Sequence, residues 1–261
     1  LATAQLFFQL AYADVFSLFA ISSILASIAL VPLILSDTRQ PEEMSPEPLP
    51  LKRVYELSPL ACIGAFSVGL TYSAFFGLSA PILLQYDFTA GEAGEFIGAA
   101  LLGGLLFQWP VGALSDKINR RLVVLIITLL AALLSLTIDH ALRDASPDRA
   151  WLNLLAFLFG GVTYPLYSTF LSILNDQLES RQFIRASSCL LTLNGAGAVI
   201  GPLAAAVFIH LSGGYMLFRY MAIIHLLIGG VGLVRYCARL GQIVPVKPFV
   251  VSPRTANAVC T

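Results

Sequence analysis

From Leu122 to Ile138 the chain reads LVVLIITLLAALLSLTI, without one ionisable side chain and without strict alternation of apolar and polar residues. A bilayer core of about 30 Å is crossed by about 20 apolar residues in a helix. Hydrocarbon offers backbone amides no partner, so a segment crossing it must satisfy them internally as a helix or in a closed barrel. The missing period-two alternation selects the helix. Taken to Asp139 this span is roughly 122–139; comparable runs lie at roughly 14–36, 59–85, 90–114, 151–175, 185–211 and 214–237, and residues 1–12 read as the stub of an earlier span. The expected fold is therefore an all-α, polytopic transmembrane helical bundle.

Composition agrees. Hydrophobic residues make up 57% of the chain and charged residues 11%, against about a quarter charged in soluble domains. Fifteen Lys and Arg balance fifteen Asp and Glu, which favours neither nucleic acid nor an acidic partner. The four cysteines, Cys62, Cys189, Cys237 and Cys260, show no CxxC spacing. They form neither a disulfide framework nor a metal site, and three lie in or beside spans, where small hydrophobes are the expected reading. No cofactor is implied.

The loops orient the bundle. One set of loops carries Arg39, Lys52, Arg53, Lys117, Arg120, Arg121, Arg181, Arg185, Arg235, Arg239, Lys247 and Arg254, and the other only Arg143, Arg149 and Arg219. The positive-inside rule places the first set in the cytoplasm. This predicts a remnant of a first bundle at 1–36, a cytoplasmic linker at 37–58, a six-helix bundle at 59–238 and a cytoplasmic tail at 239–261. The proline-rich linker is expected to be irregular throughout. One span, a linker and six spans match the second part of a two-bundle layout. Leu1 stands inside an apolar stretch with no preceding Met or basic segment, which reads as a cut end.

Between the second and third spans of the six-helix unit stands Gly112-Ala-Leu114-Ser-Asp116-Lys117-Ile-Asn119-Arg120-Arg121. This resembles the major facilitator superfamily signature G-x-L-[AS]-D-[RK]-x-G-R-[RK]. Gln108-Trp109-Pro110, Tyr164-Pro165 and Gly201-Pro202 agree with the family's second half. The resemblance covers nearly the whole chain, taken as the end of helix 5 through helix 12, and is nearest to bacterial members of unassigned substrate. It implies a secondary transporter that moves a small solute by alternating access in the bacterial inner membrane, with most of the N-terminal bundle absent. The bilayer, a small solute and that absent half are the expected partners. Asn119 replaces the family's usual Gly, and its tolerance of the left-handed region would preserve a tight turn. Gly112, Asp116, Lys117, Arg120 and Arg121 are the expected gate motif, with the carboxylate capping a helix start and the cations bridging to carboxylates or helix ends. The bland alternative is that the three cations only anchor the chain at the headgroups.

The resemblance also places spans 59–85 and 151–175 at the central cavity and 90–114 and 185–211 at the flanking seam. The substrate candidates are then Tyr72, Phe76, Gln108, Trp109, Tyr164, Tyr167 and Asn194. Tyr72 and Phe76 share a helix face, as do Tyr164 and Tyr167, and Pro165 frees a backbone carbonyl. Gln108 and Asn194 must face protein or water, and a helix–helix hydrogen bond is as good a reading as a ligand contact. Gly197, Gly201 and Pro202 read as close packing at the seam. Thr89-x-x-Glu92 fits a capping box, which leaves Glu95, one turn deeper, as the weak candidate for ion coupling. His225, at mid-span, is expected to make a packing hydrogen bond, while His140 and His210 sit near helix ends. An open groove is expected along all four cavity and seam spans.

A membrane-embedded enzyme is the first rival, but H-E-x-x-H, G-x-S-x-G and paired intramembrane carboxylates do not occur, so no catalytic residue is assigned. A half-size structural or scaffold membrane protein is the second.

Overall fold

A computed structural model describes residues 27–28, 31, 49–144, 147–179, 182–212 and 216–237. The stub at 1–12, most of the span at 14–36, linker residues 37–48, Arg181 and the tail from 239 lie outside the described residues. The described chain is helical: α1 Leu51–Leu57, α2 Pro59–Leu84, α3 Ala90–Lys117, α4 Arg120–Ala141, α5 Arg149–Thr163, α6 Pro165–Asn175, α7 Phe183–Ser212 and α8 Met216–Cys237. With α5 and α6 taken together as Arg149–Asn175, six helical segments are long and apolar enough to cross a membrane.

The boundaries follow local chemistry. The Ser58 side chain accepts from the Ala61 amide at the start of α2, where Pro59 occupies the first turn and loses no ladder bond. Thr89 and Glu92 close the expected capping box on α3. Asp148 accepts from the Ala150 and Trp151 amides and starts α5. Two expectations need correction. Residues 51–57 of the linker are helical, and the turn is pinned by Val54, which is fully buried against the bundle. Asn119 keeps φ at −59° and caps α4 by accepting from the Arg121 amide, so the short turn uses a capping side chain and not the left-handed region.

Three helix pairs build the bundle: α2 with α7, α3 with α5, and α4 with α8. The first two run parallel and touch backbone to backbone. A side chain at Gly69 would strike the Asn194 carbonyl, and one at Gly197 or Gly201 would strike α2 at Phe66 or Leu70. In the other pair, Gly103 faces the Phe157 carbonyl and Gly160 the Ala100 carbonyl. The pattern is symmetric: the first span pairs with the fifth as the fourth pairs with the second, and the third and sixth pair with each other. That is the contact signature of two inverted three-helix repeats.

The spans are unequally covered. Buried residues make up 67% of the apolar stretch of α2 and 61% of that of α5–α6, against 28% for α3 and 22% for α7. The open surface is therefore carried by α3 and α7, and α2 and α5–α6 form the centre. Of the four helices on which the groove is expected, α2 and α5–α6 are the more covered, because α7 and α3 pack on them.

Candidate functional site

Pro165 has no amide hydrogen, so the ladder of the fourth span lacks one bond there, while Tyr164 keeps helical angles (φ −62°, ψ −35°) and the span stays helical through it. The segment α5 ends at Thr163, Tyr164 stands at the junction, and α6 begins at Pro165. There the Tyr72 hydroxyl of α2 donates to the Thr163 carbonyl over 2.7 Å. The Tyr72 and Tyr164 rings meet edge to face at 5.0 Å, and Phe76, one turn further along α2, stacks on Tyr164 at 6.2 Å. Gly104 of α3 gives Tyr164 its room, because any larger residue would strike the ring. Three of the expected cavity residues thus form one aromatic group from two spans, with Gly104 of a third beside it. Behind it, a void of about 10 Å³ lined by Thr71, Phe75 and Phe159 among others has room for a single water at most. A solute could meet this group only from the open side, where Phe76 is 43% exposed.

The other candidates are differently placed. Gln108 donates to the Ser168 hydroxyl at 3.0 Å, and Ser168 donates in turn to the Pro165 carbonyl. This short chain ties α3 to the first turn of α6, one turn from the aromatic group. Asn194 donates to the Ala65 carbonyl at 3.0 Å, so its amide holds the α2–α7 pair together. Tyr167 is half-buried against the core around Val68 and Phe170, apart from the aromatic group. Trp109 is 81% exposed on α3, away from the face that Gly103 and Gly104 turn to the fourth span. Glu95 is exposed near the start of α3, while Glu92 is engaged by Thr89 and Arg149. His225 is buried with Nδ1 2.7 Å from the Met221 carbonyl, a bond inside its own helix, and its ring meets Phe159 edge-on.

The signature loop joins α3 to α4 at the cation-rich end. Arg120 is its centre and is buried: Nε donates to Asp176 at 2.9 Å, Nη2 meets Asp116 at 2.9 Å, and Nη1 donates to the Ser115 hydroxyl. Asp176 caps the C-terminus of α6, so the guanidinium couples the loop to the far end of the fourth span. The expectation that Asp116 caps a helix start is corrected, since Asn119 does that and Asp116 pairs with Arg120. Lys117 is exposed at the end of α3, and Gly112 has open space where a side chain would go. Among the described residues nothing therefore requires glycine at position 112.

Sequence reasoning did not single out Asp176, and only a carboxylate at the cation-rich end of a cavity span hinted at it. It likewise missed the opposite end. There Asp139, only 4% exposed, pairs with Arg143 of its own turn and with Arg219 of α8 at 2.8 Å. Arg149 bridges Glu92 and the Asp87 carbonyl and lies over the Phe88 ring. Its grip on that carbonyl holds the turn in which Asp87 adopts a φ of +58°.

The chain is 26% identical over 163 residues to an uncharacterized MFS-type transporter, YcaD, of Salmonella arizonae, an overlap of 61% of this chain and 40% of that protein. YcaD of Salmonella paratyphi B and of Salmonella newport are each 27% identical over 160 residues, with the same coverage. The chain thus spans about 40% of the length of the curated relatives it matches. No solved structure matches it. The family model described as Major Facilitator Superfamily matches residues 61–254, which takes in all six spans and the signature loop, and this chain belongs to that superfamily.

Proposed function

We propose that this chain forms the second bundle of a secondary transporter, carrying a small solute across the bacterial inner membrane by alternating access, with its C-terminus in the cytoplasm. The observation that carries the reading is the aromatic group of Tyr72, Phe76 and Tyr164, gathered beside the ladder bond that Pro165 cannot make and with Phe76 open to the uncovered side. Transporter sites typically lie near the bilayer midplane, between the two repeats or bundles. In this reading a first bundle covers the exposed faces of α3 and α7, and the solute lies between it and Phe76. Arg120 with Asp116 and Asp176 then acts as a lock at the cytoplasmic end, tying the α3–α4 loop to the lower half of the fourth span.

Inverted membrane vesicles from cells expressing the complete reading frame that contains this chain test the proposal. They are incubated with a mixed panel of sugars, amino acids and lipophilic dyes, and accumulation is followed by mass spectrometry. Saturable accumulation of at least one solute is expected, reduced at least tenfold by Tyr164→Ala. Panel compounds chemically altered by the detergent-purified protein, with none accumulating in vesicles, would overturn the carrier in favour of an enzyme.

A further inference from the structure

A second site lies on the far side of α2 from the aromatic group. Ile63 and Tyr72 are nine residues apart, about two and a half helical turns, so they leave α2 on opposite faces. On the Ile63 face a groove of about 530 Å³ opens between α1, α2 and α7, with Leu51, Lys52, Tyr55, Ile63, Phe66 and Leu193 in its walls. That volume is within the range of small-molecule sites, about 300–1,000 Å³. Among the described residues the walls are almost wholly apolar, and Lys52 is their one charged group. Among the described residues the neighbouring Arg53 is paired with Glu56, and Lys52 has no carboxylate partner.

We infer that this groove holds an anionic phospholipid, with one acyl chain along Ile63, Phe66 and Leu193 and the phosphate at the Lys52 ammonium. Position supports a lipid. Helix α1 immediately precedes the first turn of α2, at the same end of the bundle as Lys117 and Arg120, so the groove begins at headgroup level and runs toward the acyl region. Tyr55 stands at its rim, where an amphipathic ring suits the interface. The lining chemistry narrows the occupant further. A polar solute would need several converging hydrogen-bonding groups. An extended peptide would need partners for its own amides, and walls made of helical backbone have few to give, while a helix, about 10 Å across, would fill about 530 Å³ in little more than one turn. An acyl chain needs neither. Lys52 supplies the charge that favours an anionic headgroup over a zwitterionic one. The inference requires only that the chain spans a bilayer and is independent of transport.

The test uses the full chain in phosphatidylcholine nanodiscs containing a small fraction of a probe lipid with an acyl-chain diazirine, either phosphatidylglycerol or phosphatidylcholine. Cross-linked peptides are mapped by mass spectrometry, with lipid-facing Leu129 and Leu133 of α4 as the internal reference. Phosphatidylglycerol adducts on Ile63, Phe66 and Leu193 are expected at severalfold the α4 level and severalfold the phosphatidylcholine yield. Lys52→Gln should bring the two lipids to equal yield in the groove and leave the α4 reference unchanged. Ile63→Trp, which fills the groove, should remove groove adducts of both, with helical circular dichroism and α4 labelling reporting that the bundle is intact. Equal yields for the two lipids in the unaltered chain would overturn the inference. So would a headgroup preference that survives Lys52→Gln, or a groove without adducts because another part of the chain occupies it.

Discussion

Replacing Arg120 separates the two carboxylates it holds. Its guanidinium makes three polar contacts, to Asp176 and Asp116 at 2.9 Å and to Ser115 at 3.3 Å, and its side chain is only 9% exposed. Hydrogen bonds to charged groups contribute about 1.5–3 kcal/mol each when shielded, and exposed pairs about 0.2–1 kcal/mol. Asp116 is 44% exposed and four residues away in sequence, so solvent screening puts its pairing near the lower range, about 0.5 kcal/mol. Asp176 is 26% exposed and fifty-six residues away, so its pairing lies higher, about 1.5–2 kcal/mol. With the Ser115 bond included, Arg120→Ala should destabilise the bundle by about 3 kcal/mol, at the lower edge of the range for a broken buried pair. The assay is equilibrium unfolding of the purified chain in mixed micelles by SDS titration, followed by circular dichroism, arranged as two double-mutant cycles. Arg120 with Asp176→Asn should show the larger coupling and Arg120 with Asp116→Asn the smaller. A larger coupling to Asp116, the residue within the signature, would refute the reasoning from burial.

In the same assay Gly197→Leu should destabilise by about 2 kcal/mol or prevent folding, because the added side chain meets the Phe66 carbonyl. Gly112→Ala, which meets nothing, should be neutral or stabilise by up to about 1 kcal/mol through helix propensity. Tyr72→Phe should cost about 1 kcal/mol by removing the donor to Thr163, with the ring packing kept. For topology, single cysteines at Lys117 and Arg185 in a cysteine-free background should react with an impermeant maleimide from one side of the membrane and a cysteine at Arg143 from the other. Labelling of Lys117 and Arg185 from opposite sides would contradict the six-span arrangement.

The spans were legible because hydrocarbon sets their length and charged or capping residues mark their ends. Each described boundary falls within three residues of the run read from sequence, and the Thr89–Glu92 capping box is present as read. What escaped was tertiary. The helix at 51–57 was hidden by the prolines around it, since Val54 packing, and not composition, holds it. Asn194 had two readings in the sequence, and only the Ala65 carbonyl, 129 residues away, distinguishes helix pairing from a free amide. The paired glycines at 103–104 and 160–161 carry the same close approach as Gly197 and Gly201, but lack the four-residue spacing that drew attention to the latter. In the signature, the residue types were plain while the partner that buries Arg120 lay in another helix.

The two ends of the bundle handle cations differently, and the difference makes a test. At the end with few cations, Arg143 and Arg219 share Asp139, and Arg149 takes Glu92. Two carboxylates thus offset most of the charge of three arginines. Asp139 is 4% exposed while its two arginines are 37% and 38% exposed, so the carboxylate is the shielded member and the arginines can turn to water if it is lost. Asp139→Asn should therefore cost less than a fully buried pair, about 2 kcal/mol. Arg219→Gln alone should cost less still, because Arg143 continues to neutralise Asp139. Removing both arginines must cost the most, since it leaves a buried carboxylate with no counterion. If instead the double arginine variant were as stable as Arg219→Gln, Asp139 would be solvated in the folded state, and the pairing would be a consequence of the fold and not one of its supports.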